Sequence, residues 1–227
     1  MEIYISIDGV IRNTIQKFDY HYNEAYLADD VVFEEDATPF EYGITEPIQN
    51  DNLLSSYRFQ SKEEFEYFLF VEYPIEIFGH AGLSYSTTFT DLHQVIYDNP
   101  QHNFTLIGLD ELGKARPATL FFLSKNGFLG NNIKFIKSQD VENSWNNCEM
   151  WITDNKNILE SCPENKIGYK FKTTYNQFFT YNKEISKLTE IQELWSKSLE
   201  NNTTLTLTES QKNVEQEEQS QTKTEQK

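Results

Sequence analysis

Residues 3–13, IYISIDGVIRN, decide how this chain is interpreted. A short apolar run leads to Ser6 and Asp8 and then turns at once through Gly9. A strand of a parallel sheet delivers polar side chains to the carboxyl edge of the sheet in this way. The stretch therefore predicts a first strand whose end carries the functional residues of an α/β fold.

Composition sets the broad class of protein. The chain has 227 residues, 38% of them hydrophobic and 15% aromatic, which is enough for one sizeable core. No apolar run approaches the ~20 residues of a membrane span, and Met1 and Glu2 lead straight into the first strand. We expect no membrane partner, no secretion by a cleaved signal, and a location in the cytoplasm or, if the protein is viral, in the virion. Cys148 and Cys162 form no CxxC pair, which argues against a disulfide framework or a zinc site.

The net charge of -17 is concentrated in the first half of the chain. Residues 1–100 contain 19 acidic and 4 basic residues, whereas residues 101–200 contain 12 of each. Phosphate backbones repel such a surface, so we expect no nucleic-acid partner. We expect a protein partner with a basic surface, in an oligomeric assembly; the alternative is that the charge serves solubility alone. Asn, Lys, Ile, Tyr and Phe are frequent in the chain, and their codons are rich in A and T. This composition indicates an AT-rich bacterial or bacteriophage genome.

Six short apolar or β-rich runs predict the strands of the sheet. Runs that are apolar throughout are typical of strands covered on both faces. NKNILESCP, residues 155–163, predicts a short helix, and residues 183–199 predict an amphipathic closing helix. The predicted strands are residues 3–7, 104–108, 119–123, 133–136, 149–153 and 167–171.

The first half also contains a predicted insertion, at about residues 20–100. Residues 29–51 are acidic and interrupted by proline, which favours a loop or hairpin, and Ser61 with Glu64 forms a capping-box signal for a helix. Residues 201–227 are too polar to bury a core and predict a disordered or extended tail. The expected domains are therefore residues 1–200 and this low-complexity tail.

Four short pieces of the chain, in order, resemble the motifs of the haloacid dehalogenase-like (HAD) superfamily of phosphohydrolases. They are ISIDGV (5–10), LFFLSKNG (120–127), IKFIKS (133–138) and MWITDNKNI (150–158). The resemblance implies a Rossmann-like, three-layer α/β fold with a parallel sheet, into which the acidic insertion is placed after strand 1.

The resemblance also implies roles for individual residues. Asp8 falls where the family has its general acid/base. Ser124 falls on the hydroxyl that holds a phosphoryl oxygen, and Lys137, or less favourably Lys134, on the lysine that neutralises the phosphate. Asp154 matches a magnesium-binding aspartate. Each of these residues has a plain structural alternative as a turn, strand-end or helix-cap residue.

The chain departs from the family pattern at two positions. Ser6 falls where the family has its nucleophilic aspartate, and Thr153 takes a place that is often a second acid. A serine hydroxyl does not attack phosphorus without a base aimed at it, and it brings no negative charge to hold Mg²⁺. We therefore expect no cofactor, the alternative being weakly bound Mg²⁺ at Asp8 and Asp154.

These departures give three hypotheses for the function. The first is a catalytically inactive HAD-like domain that serves as a structural or assembly module, in the setting of a bacteriophage virion. The alternative is a Mg²⁺-dependent phosphatase or nucleotidase with an atypical first motif. The third is a sensor of small anions that uses Ser124 and Lys137 without turnover.

Overall fold

A computed structural model describes residues 1–26, 53–57, 59–128, 130–192 and 195 of the chain. The acidic residues 29–51 and the tail 201–227 lie outside the described residues, so the predictions made for them remain predictions. The described chain forms a main unit, residues 1–188, and the start of a second unit, residues 189–227. In the second unit the backbone is helical at residues 190–192 and 195.

The main unit is built on a six-stranded parallel sheet with flanking helices, as the apolar runs predicted. Its strands are β1 (Glu2–Ser6), β4 (Asn103–Leu109), β5 (Ile133–Ile136), β6 (Met150–Thr153), β7 (Ile167–Phe171) and β8 (Glu184–Ile185). The strand order is β5-β4-β1-β6-β7-β8, which places the first strand in the middle. Two further strands, β2 (Arg12–Asn13) and β3 (Gly82–Leu83), form a separate antiparallel pair.

Seven α-helices accompany the strands in the described part of the chain. They are α1 (Thr14–Tyr26), α2 (Leu53–Ser56), α3 (Lys62–Tyr67), α4 (Thr88–Asp98), α5 (Arg116–Lys125), α6 (Val141–Ser144) and α7 (Lys156–Glu160). Two π-helical segments, Phe68–Glu72 and Ile75–Gly79, follow α3. Three 3₁₀ turns lie at Ser138–Asp140, Trp145–Asn147 and Thr174–Asn176.

Burial on both faces of the sheet explains why its strands are apolar throughout. Ile3 and Ile5 are fully buried on one face. On the other face Tyr4 packs edge-on against Trp151, with 5.4 Å between ring centroids, and Trp151 contacts Trp145. Side chains alternate along a strand, so Ser6 lies on the same face as Tyr4.

The predicted strand at residues 119–123 is wrong, because this run lies inside helix α5. Ala118, Thr119, Phe122 and Leu123 are buried, whereas residues 120 and 121 are exposed. Two buried residues alternating with two exposed ones is the period of a helix and not of a strand. Pro117, in the first turn, suits a helix start.

Two other predicted helices can be compared with the structure. The cap prediction is confirmed, because Ser61 caps α3 and its side chain accepts a hydrogen bond of 3.1 Å from the backbone N–H of Glu64. The closing helix predicted over residues 183–199 is wrong at its start, where Glu184 and Ile185 form β8 beside β7. Ile185 remains fully buried, so its apolar character serves the sheet.

The antiparallel pair of β2 and β3, here called the stem, encloses residues 14–81. This segment overlaps the insertion predicted at about residues 20–100 and is called the insertion below. Arg12 pairs with Leu83 and Asn13 with Gly82, so residues 14–81 leave and rejoin the chain at neighbouring positions. Inside the insertion, aromatic side chains pack edge to face, as Phe18 does on Tyr57 at 4.6 Å between centroids. The cluster extends to Ala115 and Ala118 at the start of α5. Its buried members within the insertion are Phe18, Tyr22, Tyr57, Phe68, Leu69, Phe70, Ile77 and Phe78.

Candidate functional site

The candidate site is a cleft of about 970 Å³ at the carboxyl edge of the parallel sheet. Residues that follow the strands line it, and so do aromatic and aliphatic residues of the insertion. From the sheet edge come Asp8, Gly9, Leu109, Glu111, Ser138 and Asp154, and from the insertion Phe18, Phe65, Leu69, Phe70 and Phe78. Ligand sites of open α/β sheets lie at this edge.

Asp8 and Asp154 come together because β1 and β6 are neighbours in the sheet. Between them lies Gly9, whose φ of +77° lets the chain turn immediately after the strand. A side-chain carbon added at Gly9 would lie 1.9 Å from Cγ of Asp154, so the Asp154 carboxylate packs directly on the Gly9 backbone. Asp154 is 6% exposed. Only glycine allows this approach of a carboxylate to the backbone.

Ser6 lies at the end of β1 and its hydroxyl is enclosed in a hydrogen-bond network. The hydroxyl donates to Oγ1 of Thr153 at 2.9 Å and accepts from the indole Nε1 of Trp151 at 3.1 Å. Ser6 is 6% exposed, and Thr153 and Trp151 are fully buried. Neither partner is a base, so this arrangement does not activate the hydroxyl as a nucleophile.

The Asp8 carboxylate is held by an arginine that sequence analysis did not select. Arg12 donates from Nε to Oδ1 at 2.7 Å and from Nη2 to Oδ2 at 3.2 Å, and the hydroxyl of Thr14 also donates to Oδ1. Arg12 is fully buried, whereas the Asp8 side chain is 30% exposed. The carboxylate at the acid/base position of the resemblance is therefore engaged in a two-pronged ion pair.

The other residues suggested by the resemblance, Ser124, Lys137 and Lys134, are not among the residues that line the cleft. Ser124 is exposed in the last turn of α5, so the strand end on which its role depended does not exist. Helix α5 starts beyond the carboxyl end of β4 and runs back along the sheet, which carries Ser124 toward the opposite edge. Lys137 is exposed just after β5, and Lys134 is half-buried within β5 with its Nζ 5.6 Å from the centre of the Tyr4 ring.

Asp110, which directly follows β4, was missed by sequence analysis. It is 4% exposed, and its carboxylate accepts hydrogen bonds from the backbone N–H groups of Lys114 at 2.9 Å and Arg116 at 3.1 Å. These bonds satisfy free N–H groups at the start of α5. The signal was available, because Asp110 is the first charged residue after a predicted strand. The arrangement gives Asp110 a structural role, because its carboxylate ties the end of β4 to Lys114 in the loop and to Arg116, the first residue of α5.

A buried lysine lies on the β7 side of the cleft. Lys170 is 3% exposed, and its Nζ lies 2.9 Å from Oε1 of Glu184 and 4.3 Å from the centre of the Phe179 ring. Nζ also donates to the backbone carbonyl of Phe179. The hydrogen bond from Lys170 lowers the pKa of the Glu184 carboxyl below its usual value. This lysine joins β7, β8 and the connecting loop.

The Mg²⁺ ion implied by the resemblance is a poor match to these side chains. Mg²⁺ prefers near-octahedral oxygen ligands that include one or two carboxylates. Asp154 offers a carboxylate, but both oxygens of Asp8 accept from Arg12, and the Ser6 hydroxyl is occupied by Trp151 and Thr153. Within the described residues, no three His, Cys, Asp or Glu side chains are grouped as a metal site. The donor set does not fit this ion.

Two solved structures have the same fold as this chain. A haloacid dehalogenase-like hydrolase from Bacteroides fragilis matches 84% of this chain and 98% of its own, with a TM-score of 0.55 and 12% identity. A second, from Burkholderia xenovorans LB400, matches 87% and 97%, with a TM-score of 0.50 and 8% identity. No protein-family model and no curated protein sequence matches the chain. At these identities the likeness concerns the fold alone.

The fold is therefore the α/β fold of haloacid dehalogenase-like hydrolases, as the sequence motifs implied. Fold does not determine activity, which depends on the site residues. None of the described helices has the length and apolar character needed to cross a bilayer.

Proposed function

We propose that this chain is a HAD-like domain that does not transfer phosphoryl groups and acts as a structural, protein-binding module. The observation that carries the proposal is the enclosure of the Ser6 hydroxyl between Trp151 and Thr153. In this interpretation Ser6 stands where the family has its nucleophilic aspartate. A buried hydroxyl bonded to an indole and a second hydroxyl has no means of losing its proton as it attacks.

The state of Asp8 supports the same conclusion. A general acid/base must exchange its proton with the reacting group, which requires a carboxylate free to approach that group. Arg12 occupies both oxygens of Asp8, at 2.7 and 3.2 Å, so the carboxylate is held against the guanidinium and not directed at a reacting group. Two catalytic positions of the family pattern are thus committed to contacts within the protein.

The charge distribution supports a protein partner. The 19 acidic and 4 basic residues of the first hundred positions make a surface that attracts a basic protein and repels nucleic acid. An assembly of a bacteriophage virion, suggested by the high content of amino acids whose codons are rich in A and T, is one setting for such a partner. Binding through this surface would weaken as salt is added, because exposed charges are screened within ~8 Å at physiological ionic strength.

A phosphatase with an atypical first motif is the second candidate. The proximity of Asp8 and Asp154 in a cleft of about 970 Å³ favours it, since the space accommodates a small phosphate ester. The anion-sensor hypothesis loses one of its two residues, because Ser124 is exposed on helix α5.

Hydrolysis of an aryl phosphate in the presence of Mg²⁺ separates these candidates. We expect no turnover by the wild-type protein. Wild-type turnover that disappears in Asp8→Asn would refute the proposal and establish the phosphatase. Activity in Ser6→Asp but not in the wild type would show that the nucleophilic aspartate is the only catalytic residue that the site lacks.

The binding role is tested by sedimentation of the purified chain alone and mixed in turn with basic probe proteins such as histones and lysozyme, at low and high salt. We expect a complex that dissociates as salt is raised. A chain that remains monomeric and binds none of them would contradict the binding role, whatever the result of the phosphatase assay.

A further inference from the structure

The sheet edge contains its own positive charge, the guanidinium of Arg12. Its Nε and Nη2 point at the two oxygens of Asp8, at 2.7 and 3.2 Å, in the parallel geometry that makes arginine–carboxylate pairs strong. Arg12 lies in the stem, four residues after Asp8, so the loop after β1 brings both groups together by itself.

Contacts on its other sides hold this guanidinium in place. Nη1 donates to the backbone carbonyl of Phe78 at 3.0 Å and to Oγ1 of Thr119 at 3.0 Å. The guanidinium carbon lies 4.8 Å from the centre of the Phe78 ring and 5.7 Å from that of Phe122. The charge is therefore fixed by the insertion on one side and by α5 on the other, and turning it away would break all of these contacts.

We propose that Arg12 is the permanent counter-ion of this edge and excludes a divalent cation from it. If Asp8 and Asp154 were to hold a divalent cation, Asp8 would have to offer carboxylate oxygens that Arg12 already occupies. It would also stand beside a buried like charge, where repulsion is poorly screened. Sequence analysis explained weak metal binding by the missing carboxylate at Ser6. The structure assigns a second and independent cause, the guanidinium of Arg12 bound to Asp8.

This proposal does not depend on the protein-binding role. A chain that hydrolysed phosphate esters without a metal ion would leave it intact, and a chain that bound a basic partner would not establish it. The two causes of poor metal binding, the missing carboxylate at Ser6 and the charge of Arg12, can be separated by mutation.

Calorimetric titration with MgCl₂ of three variants separates them. They are Ser6→Asp, Ser6→Asp with Arg12→Gln, and Ser6→Asp with Arg116→Gln. Arg116 is exposed and stacks on the ring of Phe135, so its variant removes the same charge from outside the site. We expect Arg12→Gln to tighten Mg²⁺ binding of Ser6→Asp by about tenfold or more, the equivalent of ~1.4 kcal/mol, and Arg116→Gln to leave it unchanged.

Equal Mg²⁺ affinity of Ser6→Asp with and without Arg12→Gln would overturn the proposal, because the missing carboxylate would then be the whole cause. Circular dichroism establishes that each variant is folded. If the Arg12 variant does not fold, Ser6→Asp decides by itself, since it retains the complete Arg12 contacts. A Kd for Mg²⁺ below about 1 mM in this single variant overturns the proposal, and the absence of such binding supports it.

Discussion

Replacing Asp8 by alanine would leave the fully buried Arg12 without its counter-ion. Removing one partner of a buried ion pair typically costs about 3–5 kcal/mol. The lower end of this range applies here for two reasons. Arg12 keeps its hydrogen bonds to Phe78 and Thr119, and water can reach the position of the Asp8 side chain, which is 30% exposed. We expect a loss of about 3 kcal/mol in the free energy of unfolding, or about 6–12 °C in Tm for a domain of this size.

A double-mutant cycle shows whether this loss comes from the stranded charge. Arg12→Met keeps an apolar side chain between the rings of Phe78 and Phe122 and removes the cation. In that background Asp8→Ala should cost far less, which gives a coupling energy of about 2 kcal/mol or more. The measurement is urea unfolding at pH 7 followed by tryptophan fluorescence and by circular dichroism.

The exposed pair of Lys156 and Glu160 is the matched control for this cycle. It has the same spacing of four residues, with 3.8 Å between Nζ and Oε1, but its side chains are 33% and 63% exposed. Glu160→Ala should change the stability by about 0.5 kcal/mol or less. If the effects of Asp8→Ala and Arg12→Met add to within about 0.5 kcal/mol, the reasoning about the buried charge is refuted.

Three further predictions concern other parts of the main unit. Ser6→Ala should lower the free energy of urea unfolding by about 1–3 kcal/mol, because it leaves the buried indole N–H of Trp151 without an acceptor. The control Ser124→Ala, at an exposed position, should lower it by about 0.5 kcal/mol or less. Equal losses would contradict the hydrogen-bond network around Ser6. Burial raises the pKa of the Cys148 thiol to about 12, so iodoacetamide at pH 8 should modify Cys148 only after unfolding. Rapid labelling of Cys148 in the native protein, located by peptide mass spectrometry, would contradict this. The pKa of Glu184 is lowered mainly by its hydrogen bond from Lys170, so this carboxylate stabilises the fold above its unfolded pKa of about 4.5 and ceases to do so as the pH falls through the lower folded value. The stability difference between wild type and Glu184→Gln should therefore be larger at pH 7 than at pH 3, and a difference independent of pH would be inconsistent with this pair.

The sequence predicted the sheet well, because burial on both faces makes its strands apolar throughout. Predicted and observed bounds agree fully for residues 133–136 and 167–171 and to within a residue for three other strands. The order of the strands in the sheet was not predicted, because apolar runs contain no information about which strand lies beside which.

Helix α5 shows where the same reasoning failed. Its apolar run is continuous in the sequence, but the exposed Leu120 and Phe121 interrupt the buried face. A short apolar run does not by itself distinguish a strand from a helix. Because of this error, Ser124 was assigned to the predicted site and Asp110 was not. Asp110 directly follows the observed strand β4, whereas Ser124 lies in helix α5.

The proximity of Ser6, Asp8 and Asp154 was predictable, because strand ends of a parallel sheet meet at one edge. The partners of these residues were not. Arg12 bonds to the carbonyl of Phe78 and to Thr119, which lie 66 and 107 residues away in the sequence. Such contacts depend on how the insertion and α5 pack, and no local pattern encodes them.

The stem has a consequence for how chains of this fold diversify. Because Arg12 pairs with Leu83 and Asn13 with Gly82, the ends of residues 14–81 are fixed side by side whatever lies between them. The entropy cost of closing a loop rises by only ~0.6 kcal/mol for each doubling of its length. Evolution can therefore lengthen, shorten or exchange this segment while the six strands stay unchanged. Any replacement must still cover Ala115 and Ala118 at the start of α5 and present a carbonyl to Arg12 where that of Phe78 now lies.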